Sequence, residues 1–288
     1  MHTKTLLVLI LSLFAAAGCP RNEMSVNPGR AMEETVRGVD VSHHNGTIDW
    51  EAVATEDGMR FVFIKATEGM TLVDGMYQEN RMAARAAGLM VGAYHFLTTA
   101  SDAESQFDNF RRVVKKEDID LVPVLDAERM TRGHPMSDAD YVRHVGKWIG
   151  LCKEYYGVAP ILYCSRDHYR RYFKSRFEDC LFWCGDVDAT RGYVDAEPWI
   201  IWQESIRKCN GSPSRLDIDV LAPNTNLQDI SLPGYPFSHN NLFQYPARIN
   251  LYLPEEKKVW TGSAWDGEEM VSEKVSVITT SSSLPPLD

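Results

Sequence analysis

The sequence predicts an α/β protein: an irregular parallel (β/α) barrel with few helices towards its end, followed by a C-terminal extension. Short apolar runs of strand character alternate with segments of helical spacing from about residue 35 to residue 230, the order expected of βα units. The runs carry few polar side chains, as expected for strands buried on both faces of a parallel sheet. Acidic and aromatic residues follow several runs, at the end where a barrel has its functional face.

Eight strands are predicted from runs rich in apolar, β-branched and aromatic residues. In chain order they cover residues 35–42, 60–66, 89–96, 121–126, 159–164, 181–184, 198–203 and 216–220. The fourth run has no polar side chain before Asp126, which suits a strand buried on both faces. An open, doubly wound sheet is the alternative fold, but no strand is followed by the Gly-x-Gly-x-x-Gly that its nucleotide-binding versions carry.

Helices are predicted between the strands from residue spacing and from start and stop signals. They cover residues 48–53, 77–87, 103–114, 138–156 and 167–173. Asp49 is a plausible N-cap of the first helix, because its carboxylate can accept a free backbone N–H. Gly88 and Gly157 end the second and fourth helices.

Two acids, Asp126 and Glu128, end the fourth strand. Side chains alternate between the faces of a strand, so these two project from the same face. Neighbouring carboxyl groups at the mouth of an apolar strand cannot both ionise freely, and we expect one to hold its proton at unusually high pH. A proton-holding acid beside an ionised one is the usual equipment for breaking a glycosidic bond.

The other strand ends add acids and aromatic rings from distant parts of the chain. Aromatic rings offer flat apolar faces to sugar rings, and carboxylates and amides bond to sugar hydroxyls. The pattern therefore predicts a sugar-binding mouth. Its candidate side chains are Asp40, Lys65, Glu68, Tyr94, His95, Phe96, Asp126, Glu128, Tyr163, Trp183, Trp202, Gln203 and Asp217.

Length, charge and the amino terminus limit the class of protein. The chain has 288 residues and a formal net charge of -10, so no nucleic-acid partner is expected. Residues 1–18 read as a signal peptide with an apolar core too short to cross a bilayer as a mature helix. Cys19 follows small residues, and this placement resembles a bacterial lipoprotein signal in which the cysteine becomes the lipidated N-terminus. An ordinary secretory signal cut nearby is the alternative.

The mature protein is therefore expected in an extracytoplasmic space, lipid-anchored or secreted, with residues 19–34 as a tether. Five cysteines remain after Cys19: Cys152, Cys164, Cys180, Cys184 and Cys209. Because five is odd, at least one is unpaired, and the sequence does not fix any pairing. No metal site is expected, since Cys180 and Cys184 lack a companion pair at zinc-finger spacing.

The ordered motifs of the chain resemble the family-25 glycoside hydrolases, the N-acetylmuramidase type of lysozyme. Any one motif is weak, but their order from about residue 36 to residue 222 is highly specific. The resemblance implies an irregular, TIM-barrel-like (β/α) barrel. The matching stretches are Gly38-Val39-Asp40-Val41-Ser42, Ile48-Asp49-Trp50, Phe63-Ile64-Lys65-Ala66-Thr67-Glu68-Gly69, Ala87-Gly88-Leu89, Gly92-Ala93-Tyr94-His95-Phe96, Pro123-Val124-Leu125-Asp126-Ala127-Glu128, Pro160-Ile161-Leu162-Tyr163, Trp202-Gln203 and Leu216-Asp217-Ile218-Asp219.

The resemblance also implies roles for the strand-end residues. Glu128 matches the general acid, and Asp126 matches the acid that orients the substrate's 2-acetamido group in a substrate-assisted mechanism. Asp40 and Asp217 match the other acids of the pocket. The residues expected to bind substrate are Tyr94, Tyr163, Trp202, Gln203, His95 and Glu68.

Several of these assignments leave alternatives open. His95, which we place on the barrel side of the third strand, could serve packing instead of substrate contact. Glu68 and Lys65 could form an internal ion pair that orders the mouth. The chain departs from the family at Trp183-Cys184-Gly185-Asp186-Val187, where many members have Trp-x-Ala-x-Tyr, and at Asp219, where Asn is common.

The sequence thus predicts a monomeric lysozyme, without metal or cofactor, that hydrolyses the β-1,4 bond between N-acetylmuramic acid and N-acetylglucosamine in peptidoglycan. A catalytically silent wall-binding protein and a hydrolase of another N-acetylated glycan such as chitin are the alternatives. The anomeric outcome and the source of the target wall stay open. Residues 231–288 are expected to form a small β extension or to be partly disordered, with a fragmentary wall-binding module or a partner contact as alternatives.

Overall fold

The computed structural model describes residues 35–128 and 135–235. The predicted signal peptide, Cys19, the tether and nearly all of the C-terminal extension lie outside these residues. Within them the strands are β1 (Arg37–Val41), β2 (Phe61–Glu68), β3 (Leu72–Val73), β4 (Met90–Phe96), β5 (Val124–Asp126), β6 (Ile161–Cys164), β7 (Phe182–Cys184), β8 (Trp199–Lys208) and β9 (Arg215–Leu221).

The helices lie between these strands. They are α1 (Trp50–Thr55), α2 (Tyr77–Ala86), α3 (Ala103–Val113), α4 (Asp138–Tyr156), α5 (Arg166–His168) and α6 (Arg191–Val194), with 3-10 turns at His43–Asn45, Lys116–Asp118 and Leu227–Ile230. In the described part of the chain, no helix is both long and apolar enough to cross a bilayer.

The predicted barrel is confirmed. Within the described residues, eight strands close on themselves in the order β1, β2, β4, β5, β6, β7, β8, β9, with β9 returning to β1. The two-residue β3 pairs only with β2, as a hairpin outside the ring.

One strand departs from the expected parallel arrangement. β9 runs antiparallel to both β8 and β1, whereas the other neighbours around the ring are parallel. Only residues 209–214 connect β8 to β9, and a parallel crossover needs a dozen or more residues. The short connection therefore makes a hairpin, and the expectation of eight parallel strands was wrong at the last one.

The predicted N-cap and C-terminal glycine of the helices act as the sequence predicts, whereas one predicted helix differs in type. The Asp49 carboxylate accepts the backbone N–H of Ala52 at 3.1 Å, and Gly157 ends α4 with a φ of 81°. The segment predicted as a helix at 167–173 is α-helical only as far as His168 and then continues as a π-helix over Tyr169–Phe173.

Alternation along the strands divides their side chains between two cores. On β5, Leu125 joins the core beneath the helices, while Val124 and Asp126 line a cavity inside the barrel mouth. The barrel interior is packed with aromatic rings: Phe63 lies 6.0 Å from Phe61 and 5.0 Å from Trp183 between ring centroids. This filling leaves the carboxyl ends of the strands as the place for polar side chains.

All five cysteines of the barrel are free thiols. The prediction of at least one unpaired cysteine is therefore confirmed, and none of the five is bonded to another. Four of them, Cys152, Cys164, Cys184 and Cys209, are buried, and Cys180 is partly exposed.

Candidate active site

A cavity of about 80 Å³ opens at the carboxyl ends of β1, β4, β5 and β6. The side chains around it come from four separate strands that the barrel brings together. Its lining consists of Asp40, Tyr94, Val124, Asp126, Glu128 and Tyr163. Five of these six are residues that the sequence predicts for the site.

Asp126 and Glu128 share this cavity, as their spacing on one strand predicts. Burial raises the pKa of Asp126 well above its usual range, and the neighbouring Glu128 and Asp40 raise it further, whereas Lys65 opposes the shift. No protein group hydrogen-bonds to the Oδ1 atom of Asp126 in the described structure, although this atom is buried. Asp126 therefore lines the cavity and retains one acceptor atom that no described protein group uses.

Glu128 lies further out and is half-buried. Its pKa is raised first by desolvation and then by the negative charge of Asp186. A carboxyl group with a raised pKa retains its proton closer to neutral pH, which is the property that a general acid needs.

Asp40, on β1, also lines the cavity. Its Oδ2 atom accepts a hydrogen bond of 2.8 Å from the side-chain amide of Gln203. Burial, followed by the charge of Asp217, raises the pKa of Asp40 to about 8. Asp217 lies directly across from Asp40 on β9, and burial raises its pKa as well.

Two tyrosines complete the lining. The pKa values of Tyr94 and Tyr163 are both raised, first by burial and then by the surrounding carboxylates. Both phenols therefore stay protonated, and the Tyr163 hydroxyl donates to Oε1 of Gln203 at 3.0 Å.

His95 does not reach the cavity. It is fully buried, its ring nitrogens bond to Thr67 at 2.8 Å and to Gln106 at 3.2 Å, and it stacks on Trp148 at 5.7 Å. Burial lowers the pKa of His95 to about 3. Because Tyr94 faces the barrel interior, its neighbour must face the helices. The placement of His95 on the barrel side was wrong, and the packing alternative describes it.

Trp202, Gln203 and Glu68 also lie away from the lining. The Trp202 ring packs against Trp199 at 6.1 Å, and its indole N–H donates to the backbone oxygen of Asp186 at 3.0 Å. Gln203, on the other face of β8, is buried behind Asp40 and Tyr163. Glu68 pairs with Lys65 at 2.6 Å, which is the ion pair that the sequence offered as the alternative to substrate contact.

Two further acids influence the site and were not predicted for it. Asp219 is completely buried, and burial together with Asp40 and Asp217 raises its pKa well above the usual range. The period-two spacing from Asp217 could have indicated it, just as the spacing of Asp126 and Glu128 did. Asp186, which raises the pKa of Glu128, follows β7 in a loop, where no periodic signal marks it.

These features define a class of protein. A (β/α) barrel with two acids of raised pKa at the end of one strand, facing a shared cavity, is the architecture of a glycoside hydrolase. In the described residues, no group of three His, Cys, Asp or Glu side chains is placed to hold a metal ion.

The chain belongs to the glycosyl hydrolases family 25, whose family model matches residues 39–208. It is 32% identical over 191 residues to the uncharacterized protein YegX of Escherichia coli, covering 65% of this chain and 69% of that protein. It is 27% identical over 192 residues to the autolytic lysozyme of Clostridium acetobutylicum, covering 64% of this chain and 55% of that one.

A solved structure agrees with this membership. A family 25 glycosyl hydrolase from Bacillus anthracis superimposes with a TM-score of 0.60 at 32% sequence identity, covering 67% of this chain and 91% of that chain. The chain is therefore a glycoside hydrolase in both its fold and its family.

Proposed function

We propose that this chain is a lysozyme that hydrolyses the β-1,4 bond between N-acetylmuramic acid and N-acetylglucosamine in peptidoglycan. Glu128 acts as the general acid, and Asp126 assists the 2-acetamido group of the substrate. Membership of the family and the similarity to an autolytic lysozyme support the substrate class. The arrangement of acids in the cavity supports the roles.

The observation that carries the proposal is the unused acceptor of Asp126 beside Glu128. Oδ1 of Asp126 is buried and takes no hydrogen bond from the described protein groups, yet its carboxyl group lines the cavity. The N–H of a 2-acetamido group is a donor of the right kind for it. With that N–H bound, the acetamido oxygen can attack the anomeric carbon while Glu128 gives its proton to the departing glycosidic oxygen.

The protonation states fit this sequence of events. In the free enzyme both pKa values are raised by burial. A hydrogen bond donated to a carboxylate favours its ionised form, so a bound acetamido group would lower the pKa of Asp126. Glu128 gains no such donor and keeps its proton. Substrate binding would thereby release the Asp126 proton to solvent and leave Glu128 as the protonated acid.

We further propose that the enzyme works outside the cytoplasm as a monomer. Residues 1–18 would be removed, Cys19 would carry the lipid, and residues 19–34 would tether the hydrolase domain, residues 35–230, to the membrane surface. Residues 231–288 would form an extension of that domain. Mass spectrometry of the protein purified from membranes should detect a diacylglyceryl-modified Cys19. An unmodified N-terminus near this position would instead indicate a secreted protein without a lipid anchor.

Purified peptidoglycan provides the test of the activity. The chain from residue 20 onward should reduce turbidity and release reducing ends, and Glu128→Gln should lower the rate by about 10²–10⁴-fold, which is the usual contribution of a general acid. Glu154→Gln is the matched control, because Glu154 is exposed on α4 and does not line the cavity. N-acetylmuramic acid should appear at the new reducing ends.

Other outcomes would replace the proposal. A folded wild type that binds the wall and releases nothing would indicate a sugar-binding protein. Cleavage of chitin in preference to peptidoglycan would keep the machinery but change the substrate.

A further inference from the structure

Gln203 occupies a position between two residues of the cavity without lining the cavity itself. Its side chain is 6% exposed. The amide N–H donates to Oδ2 of Asp40 at 2.8 Å, and the amide oxygen accepts the Tyr163 hydroxyl at 3.0 Å. The three side chains form a single hydrogen-bonded row from β6 through β8 to β1.

The direction of this row follows from the chemistry of the amide. An amide has one donating end and one accepting end. With the N–H towards Asp40, the row stabilises the ionised carboxylate, and the bond to Gln203 lowers the pKa of Asp40 against the larger effect of burial. Reversing the amide would place its oxygen against the carboxylate, which would be repulsive whenever Asp40 is ionised. The ionised Asp40 carboxylate, which can only accept, therefore selects this orientation, and the Tyr163 hydroxyl, which can donate or accept, donates to the amide oxygen that faces it.

Gly185 leaves the space that the Tyr163 ring occupies beside Gln203. A Cβ atom on Gly185 would lie 2.7 Å from Cζ and 2.8 Å from Oη of Tyr163, closer than real contacts allow. The Tyr163 ring also packs edge-on against Trp183 at 5.1 Å between centroids. The missing side chain at Gly185 and the ring of Trp183 together fix where the hydroxyl points.

We propose that Gln203 is a positioning residue that holds the Asp40 carboxylate by its amide N–H, and that Tyr163, in the space left by Gly185, holds the other end of that amide in place. The proposal deepens the function proposed above, on which the catalytic use of Asp40 rests. It also assigns the Tyr163 proton to Gln203, so that Tyr163 offers the substrate an accepting oxygen.

Titration of the Asp40 carboxyl carbon by ¹³C NMR tests this without any requirement for catalysis. The Asp40 resonance is assigned by its absence in Asp40→Asn. In Gln203→Leu, which removes the donor at similar size, the Asp40 midpoint should rise by about one pH unit or more, the range expected for a lost hydrogen bond to a charged group. Tyr163→Phe should raise it in the same direction by less. An unchanged midpoint in Gln203→Leu would overturn the proposal.

Gly185→Ala tests whether the position of the Tyr163 hydroxyl supports the Gln203 amide. The added methyl should displace the Tyr163 ring and raise the Asp40 midpoint as far as Tyr163→Phe does. The double variant Gly185→Ala/Tyr163→Phe should show no further rise in the Asp40 midpoint, because the hydroxyl that Gly185→Ala displaces is already absent in Tyr163→Phe. Additive rises would show that Gly185 acts by another route. If Gly185→Ala does not fold, as circular dichroism would show, the Gln203→Leu and Tyr163→Phe titrations decide.

Kinetics on peptidoglycan fragments link the row to the reaction. Gln203→Leu should lower kcat with little change in KM and move the Asp40-dependent limb of the pH profile to higher pH. If the protein hydrolyses no glycan, this measurement fails but the NMR titration stands. Failure of the proposed function and failure of this inference are therefore distinguishable.

Discussion

The acids of the cavity differ in what surrounds each carboxyl group. Asp126 is buried with a free acceptor atom, Glu128 is half-buried beside Asp186, and Asp40 receives a hydrogen bond from Gln203. Burial raises the pKa of all three carboxyl groups, while the neighbouring charges and hydrogen bonds that modify it differ from one to the next. Three carboxyl groups of one cavity thus differ in their surroundings, although Asp40 is far from the other two in the chain.

Replacing Asp126 tests the role that we propose for it with the acetamido group. Asp126→Asn loses the negative charge that accepts the substrate N–H, and we expect kcat on peptidoglycan fragments to fall by about 10²-fold or more with KM little changed. The wild type should lose a similar factor on N-deacetylated glycan, because that substrate lacks the attacking amide oxygen. Equal wild-type rates on acetylated and deacetylated glycan would contradict substrate assistance.

Replacing Asp219 should stabilise the protein at high pH. The folded-state pKa of Asp219 is raised well above the unfolded value by burial. Between the two pKa values the unfolded chain releases a proton that the folded protein keeps, so stability falls as pH rises through this window. Asp219→Asn removes this loss, and its advantage in unfolding free energy should grow by about 1.4 kcal/mol per pH unit above pH ~4.

Urea unfolding of wild type and Asp219→Asn from pH 4 to pH 8 measures the advantage. The comparison isolates one group, because the other buried acids are present in both proteins. A constant difference across this range would mean that Asp219 ionises in the folded protein as it does in the unfolded chain.

At the scale of the strands, two glycines make room for aromatic rings in the barrel. A Cβ on Gly92 of β4 would lie 2.3 Å from the Phe63 ring, and one on Gly38 of β1 would lie 2.4 Å from the Phe61 ring. Neither ring has open space to retreat into, since both are fully buried. These glycines are therefore required by packing and not by backbone conformation.

Gly92→Ala should lower the free energy of unfolding by about 1–3 kcal/mol, the usual cost of overpacking a core. Gly150→Ala is the matched control, since Gly150 is exposed on α4 and a Cβ there meets no atom within 4 Å. That change should stabilise the protein by about 0.5–1 kcal/mol through helix propensity. Denaturant unfolding measures both, and a neutral Gly92→Ala would show that the Phe63 ring can move.

At the scale of the whole molecule, the ring of strands in the described residues closes through the antiparallel strand β9. β9 pairs with β8 by a short connection and then meets β1, the first strand of the fold. Closure places Gln203 against Asp40, 163 residues earlier in the chain. The cavity is thus complete only when the first and last strands have joined.

The free cysteines report on the closed barrel. Burial raises the pKa of all five thiols, and a protonated, buried thiol reacts slowly. In the chain from residue 20 onward, Ellman's reagent should modify the partly exposed Cys180 first and the other four only on unfolding. Mass spectrometry identifies the order, and rapid modification of the four in native buffer would contradict their burial.

The sequence by itself determined the barrel and the central acid pair. Both follow from local periodicity: apolar runs give the strands, and a spacing of two places Asp126 and Glu128 on one face. The same rule could have corrected His95, because its neighbour Tyr94 faces inward. The short connection at residues 209–214 could likewise have indicated the antiparallel β9.

Only the tertiary structure decided the partners and the charge states of the site. Gln203 reaches Asp40 because β8, β9 and β1 are neighbours in the closed ring, and the space that Tyr163 takes depends on Gly185 of a different segment. The raised pKa values depend on burial and on charges brought from distant strands. The pKa of each group depends on all of its neighbours in space, and those neighbours cannot be identified from the order of residues along the chain.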